Sequence, residues 1–160
     1  MRGTRRANRQ GSDGGVRRFI LDTDHITLYR ENNLAVSTAI AAIPDTELAV
    51  TIISFEEQVR GWLSQIQKAY QSQNQRRLVW AYTRLQETLV YYAQQHVLPF
   101  DEVAAQQFHQ LQQQRIRIGT QDLRIAAIAF ANHCTIITRN RRDFERVPGL
   151  PVEDWSVAQE

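Results

Sequence analysis

The chain has 160 residues, 42% of them hydrophobic and 22% charged, enough for a single domain with a core of its own. No apolar run approaches the roughly 18 residues that span a bilayer, and the lone cysteine, Cys134, excludes an intramolecular disulfide and makes a reducing cytoplasm the expected compartment. The net charge of +2 hides an asymmetry, because six arginines against Asp13 give residues 1–18 a charge of +5 and leave −3 for the remainder.

Residues 1–17 are rich in Arg, Gly and Ser with almost nothing apolar to bury, so they read as a disordered leader. It is either a solvated tail or an arm that touches nucleic acid, since clustered arginines release phosphate counterions on binding. The folded domain is expected over 18–157. Arg18-Phe19-Ile20-Leu21 is a short apolar run ending at Asp22, the pattern of a buried strand. A helix is expected from Ile26 towards Tyr29, and a second through Val36, Ile40 and Ile43, with Pro44 at its end. Leu48–Ile53 is the second strand, and Ser54 opens a helix carrying Val59, Trp62, Leu63 and Ile66 at helical spacing.

From Gln65 to Gln95 the chain is polar, with Leu78, Tyr82, Leu85, Leu89 and Tyr92 as an apolar stripe, which predicts a long amphipathic helical hairpin. Trp80, Tyr82, Tyr91 and Tyr92 read as core or dimer contacts rather than as a platform for stacked bases. Val97–Phe100 is a third short strand, and Asp101 caps the helix that follows. Gln121–His133 is a strongly apolar, Ala-rich helix suited to close packing on a sheet. Cys134–Thr138 is the fourth strand, and Val152-Glu153 a short edge strand. Strands alternating with helices predict a mostly parallel sheet of about four to five strands covered on both faces, a three-layer α/β/α sandwich.

In such sheets ligands sit beyond the carboxyl ends of the strands, and acidic segments fall there. Carboxylates gathered at that edge suit hard divalent cations such as Mg²⁺ or Mn²⁺, which drive phosphodiester hydrolysis. Each residue also has a plainer reading. Asp22 and Asp24 can cap the next turn as Asx residues, and His25 reads as a helix-start residue rather than a ligand. Ser54-Phe55-Glu56-Glu57 fits the S-x-x-E capping box, which by itself favours a structural Glu57. Glu56 points about 100° away from it on a helix. Asp122 follows Thr120, a natural N-cap, where the helix dipole favours an acid by ~0.3–1 kcal/mol. Asn140 accepts from a water or binds a cation weakly through its carbonyl, and Asp143 caps a turn before Phe144. Arg139, Arg141 and Arg142 form either a solvated face or a grip on a phosphate backbone.

Taken together these segments resemble the PIN-domain family, in particular its VapC-like toxins of type II toxin–antitoxin pairs, over about residues 18–157. Phe-Ile-Leu-Asp-Thr-Asp at 19–24 resembles the opening motif, and Glu57 through Gly61 the central Glu-x-x-x-Gly element. Ile118 through Ala127 is similar to the most diagnostic segment. Thr138-Arg139-Asn140, Asp143-Phe144 and Val147-Pro148-Gly149-Leu150 resemble the closing motif, followed by Glu153-Asp154-Trp155. The resemblance implies a PIN-like α/β/α sandwich and a cytoplasmic endoribonuclease dependent on Mg²⁺ or Mn²⁺. It makes Asp22, Glu57 and Asp122 metal-site residues, turning Glu57 from cap to ligand, with Asn140 or Asp143 orienting water or supporting a second ion and the arginines positioning RNA. It also implies a homodimer and a cognate antitoxin, with no membrane association. One departure is that the fourth acidic position of many members is Asn140 here, so that Asp143 substitutes or the site runs on three carboxylates. The rival readings are a PIN-like module that binds RNA or protein without cutting, favoured by Asn140, and a structure-specific DNA nuclease.

Overall fold

The computed structural model describes residues 18–157; the expected leader, 1–17, lies outside the described residues. Five short strands form one sheet: β1 (Arg18–Leu21), β2 (Leu48–Thr51), β3 (Val97–Leu98), β4 (Cys134–Ile137) and β5 (Val152–Glu153). Every pairing is parallel and the order is β3-β2-β1-β4-β5. The chain runs outward from β1 through β2 and β3, then returns to the other side of β1 with β4 and β5. The topological switch point is therefore the crevice between β1 and β4, where ligands bind in open α/β sheets.

Alternation along the strands feeds two cores. Ile20, Ala49 and Ile136 face one side, against α5 (Glu102–Gln113) and α6 (Thr120–Asn132). Phe19, Leu21, Val50 and Ile137 face the other, against α1 (Thr23–Arg30), α2 (Leu34–Ala41) and Tyr92. Helix α6 buries Ile125, Ala126, Ala127, Ile128 and Ala129 almost completely, as its small residues predict. The hairpin consists of α3 (Ile52–Gln71) and α4 (Gln75–Ala93). A last short helix, α7 (Arg141–Phe144), follows β4.

Several boundaries differ from the sequence reading, each for a local reason. Helix α1 starts at Thr23 rather than Ile26, because the Asp22 carboxylate caps it by accepting from Thr23 N at 2.8 Å. Strand β2 stops at Thr51 instead of Ile53. The Thr51 hydroxyl accepts from Ser54 N at 3.1 Å and so caps α3 itself. Its partner strand also ends early, at Leu98, because Pro99 has no N–H for the ladder. Helix α6 has Gly119, not Thr120, at its N-cap, with no side-chain cap hydrogen bond. Trp80 and Tyr82 lie outside the core, 43% and 56% exposed, whereas Tyr92 is buried. Among the described residues no helix is long and apolar enough to cross a membrane.

Candidate active site

Parallel register builds the first part of the site. Leu21 pairs with Ile137, so the next residues, Asp22 and Thr138, emerge side by side at the strand ends. Thr138 Oγ1 donates to Asp22 Oδ2 at 2.9 Å, and Asp22 N donates to Ile137 O at 2.9 Å. Thr138 also accepts from Asn140 N at 3.0 Å, which folds the following loop back over the crevice. Asp22 is thus both the cap of α1 and the deepest carboxylate of the crevice, only 8% exposed. Burial, with some repulsion from Asp24 and Asp122, pushes its carboxyl up to about 7.

Glu57 arrives from α3. The capping-box reading of Ser54 and Glu57 is corrected by the helix start at Ile52: Ser54 is the third helical residue, and Thr51 is the cap. Glu57 is therefore free of the helix terminus. Its Oε2 accepts from Thr23 Oγ1 at 3.1 Å, across the crevice. Burial raises its pKa, an effect that the Thr23 hydrogen bond offsets and Glu56 repulsion adds to. Glu56 faces elsewhere, paired with Arg60 and accepting from Gln121 Nε2 at 3.0 Å.

Asp122 stands in the first turn of α6, yet its carboxyl is pushed up to about 6 by burial and by Glu57, Asp143 and Asp24. A carboxylate placed only to satisfy the helix dipole would be lowered. Asn140 spans the remaining side, its Nδ2 lying 3.4 Å from Asp122 Oδ2 and 3.2 Å from Asp143 Oδ2. Both residues named for the fourth position are therefore at the site, with Asn140 as the bridge. The structure thus gathers Asp22, Glu57, Asp122, Asn140 and Asp143 around one crevice from four separate elements.

The charge there is uncompensated. Among the described residues neither Asp22, Glu57 nor Asp122 has an ion-pair partner. Unpaired carboxylates that raise one another's pKa values disfavour the site as it stands and favour a cation. The donors are all oxygen, which suits Mg²⁺ or Mn²⁺ rather than zinc. Among the described residues no three His, Cys, Asp or Glu side chains are close enough to enclose an ion as they stand. Each carboxylate is turned instead towards a protein donor: Thr138, Thr23 or Asn140.

The three arginines divide. Arg141 is paired with Glu145 at 2.6 Å, and Arg139 lies 3.9 Å from Asp24, while Arg142 has no carboxylate partner among the described residues. Asp24 is not part of the uncompensated set. Burial would raise its pKa, but hydrogen bonds from His25 and from the Arg139 backbone lower it. His25 is a buried clip, as expected of a structural residue: Nδ1 lies 2.7 Å from Asp24 Oδ1, and Nε2 accepts from Trp155 N at 3.1 Å. Sequence reasoning missed Thr23 and Thr138, which position Glu57 and Asp22. The available signal was a threonine within two residues of an acidic or amide residue at two strand ends.

No family model matches the chain. It is 27% identical to ribonuclease VapC1 of Haemophilus influenzae (strain R2866) over 142 residues, 86% of this chain and 98% of that protein. It is 41% identical to ribonuclease VapC2 of Rickettsia felis over 46 residues, 29% of this chain and only 34% of that relative's length. Among solved structures, a chain of the DNA-bound VapBC from Salmonella typhimurium superposes with a TM-score of 0.70 at 22% identity, covering 88% of this chain and 99% of that one. At that identity the superposition shows a shared fold. The likeness to VapC-like PIN-domain proteins, first carried by short motifs, thus extends through most of the described chain.

Proposed function

We propose that this VapC-like chain is a metal-dependent endoribonuclease, the toxin of a type II toxin–antitoxin pair. The observation that carries the proposal is the crevice between β1 and β4, where a buried Asp22 and half-buried Glu57 and Asp122 from separate elements raise one another's pKa values with no ion-pair partner among the described residues. The likeness to proteins named as VapC ribonucleases supports the reaction class.

Asp22, Glu57 and Asp122 would hold Mg²⁺ or Mn²⁺, with Asp143 at the rim. A hard cation held there supplies Lewis-acid chemistry, offsetting charge that builds on the scissile phosphate and easing deprotonation of the attacking water. The chain's own residues do the positioning. Thr138 and Thr23 fix one oxygen each of Asp22 and Glu57. Asn140 commits its amide N–H groups to Asp122 and Asp143, which leaves Oδ1 to accept from a water and orient it. Arg139 and Arg142, on the loop and first turn after β4, supply exposed positive charge for an RNA backbone. Single-stranded or looped RNA fits such an open crevice better than a duplex.

The protein partners follow from a different face. Phe55, Val59, Tyr82 and Leu89 line an apolar groove of about 720 Å³ between α3 and α4, and exposed apolar surface of this kind marks a protein interface. A homodimer and a cognate antitoxin are the proposed occupants of the apolar surfaces; the VapBC neighbour supports the second.

The test is cleavage of a mixed RNA pool by purified protein, with Mg²⁺ or Mn²⁺ and with chelator, beside Asp22→Asn and Asp122→Asn. We expect metal-dependent cutting that falls at least 100-fold in both variants. Wild-type protein that leaves RNA intact with metal present overturns the proposal in favour of a non-cutting binding module, with Asn140 as the deciding residue. Faster cutting of DNA than RNA points to the nuclease of the other substrate class.

A further inference from the structure

A second cavity opens directly beside the acidic crevice. It encloses about 680 Å³ between α1, α3 and α4, within the range of small-ligand sites. Helical spacing links it to the carboxylates. Thr27 lies one turn beyond Thr23, which holds Glu57, and Gly61 lies one turn beyond Glu57 itself; both line the cavity. From there it runs outward to Trp62, Trp80, Arg30 and Arg84.

Three features of this cavity bear on what it can hold. The first is the pair of indoles, which meet edge to face at 5.5 Å. Trp62 Nε1 already donates to Thr88 Oγ1 at 2.9 Å, and Thr88 passes its own proton to Arg84 O. The Trp62 ring is pinned and its only polar atom satisfied, so what it offers the cavity is apolar aromatic surface. The second is the positive charge. Arg30 and Arg84 line the cavity, and Arg77 donates to its wall residue Gln65 at 2.7 Å. Against them stand Glu31 on the wall and Glu87, paired with Arg84 at 2.8 Å. The third is Gly61. It sits in the interior of α3, where glycine is the least favourable residue after proline. A Cβ there would meet nothing within 4 Å. Among the described residues no neighbour requires a glycine at this place.

We propose that this cavity is a substrate-positioning subsite that takes one unpaired nucleobase of single-stranded RNA, next to the scissile position. The base stacks on one indole and meets the other edge-on, as the perpendicular pair requires, Gly61 admits its close approach to the α3 backbone, and Arg30 and Arg84 hold a flanking phosphate. Stacking on indole is tolerant of base identity, so the subsite sets where the strand lies more than which sequence is read. The inference rests on the ribonuclease reading for its choice of RNA.

The test separates binding from cutting. Affinity for an end-labelled, mixed-sequence single-stranded RNA is measured by fluorescence anisotropy in chelator, and cleavage of the same RNA is measured with Mn²⁺. Trp80→Ala, Gly61→Leu and Gly61→Ala are compared with Tyr70→Ala, an exposed aromatic of α3 that lines neither this cavity nor the apolar groove. We expect RNA binding about tenfold weaker in Trp80→Ala and Gly61→Leu, with a matching rise in KM, and no change in Tyr70→Ala. Gly61→Ala should raise Tm by about 2–4 °C while weakening RNA binding, opposite signs that a merely structural glycine does not give. Wild-type protein that binds RNA through this cavity but never cuts it sinks the ribonuclease reading and leaves the subsite standing. Wild-type protein that cuts, with Trp80→Ala and Gly61→Leu binding and cutting unchanged, overturns the subsite and assigns the cavity to a protein segment. Loss of binding in Tyr70→Ala equal to that in Trp80→Ala also overturns it.

Discussion

At the residue scale, Asp22 carries the strongest conflict between stability and chemistry. Its carboxyl lies near 7 when folded, against an ordinary value of 3.8. It therefore binds more protons folded than unfolded across that window. Stability contributed by the protonated form is present below about pH 4 and is lost as pH rises towards 7. Asp122, pushed up to about 6, acts in the same direction. In chelator, wild-type Tm should fall between pH 5 and pH 8. The asparagine of Asp22→Asn cannot ionise, so Tm of the variant minus Tm of the wild type should be more positive at pH 8 than at pH 5. Thermal scans of both proteins over this range check it, and parallel curves would show that Asp22 is ionised without cost. Cation binding, which needs the carboxylates deprotonated, should strengthen over the same interval.

At the scale of elements, the start of α3 distinguishes two readings of one sequence segment. A capping box makes Glu57 a stability residue. The observed cap is Thr51, and a side-chain hydrogen bond to Glu57 comes from Thr23 in another helix. Thr51→Ala should therefore destabilise by about 1–2 kcal/mol through loss of the cap, whereas Glu57→Gln should change stability by less than ~0.5 kcal/mol and abolish cutting. Denaturant unfolding of the two variants decides this, and a Glu57→Gln cost equal to that of Thr51→Ala would restore the capping box. His25 ties α1 to the segment after β5 through its contacts with Asp24 and Trp155. His25→Ala leaves a cavity and an unpaired backbone N–H in a fully buried place. It should cost roughly 2–4 kcal/mol.

At the scale of the whole molecule, the site is assembled from distant parts of the chain, so cation binding and folding are coupled. An ion that binds only the folded state stabilises it by ~2.7 kcal/mol at 100 times its Kd. For a chain of this length that corresponds to a rise in Tm of about 5–10 °C. Differential scanning fluorimetry with Mn²⁺ should show such a rise for wild-type protein and none for the Asp22→Asn, Asp122→Asn double variant. An equal rise in the double variant would place the ion elsewhere.

The strands, the alternation of elements and the Ala-rich α6 were legible from apolar periodicity, because burial on a sheet demands the same pattern wherever the strand ends up. The acids were legible too, since a carboxylate directly after a buried apolar run is costly without a purpose. What the sequence left open was the role of each acid. A local motif such as S-x-x-E and a long-range site use the same residue types, and only the helix start at Ile52 and the hydroxyl of Thr23 separate them. Trp80 shows the same limit: as one of the hairpin's aromatics it read as a core or dimer contact, while the packing of α4 against α3 turns it to an open cavity. By itself the sequence determined which segments become strands and helices and that several carboxylates meet the sheet's carboxyl edge, because those follow from interactions between near neighbours. The tertiary structure alone decided which of them face one another, since that depends on the parallel register of β1 and β4 and on contacts between residues more than a hundred positions apart, such as Asp22 and Thr138.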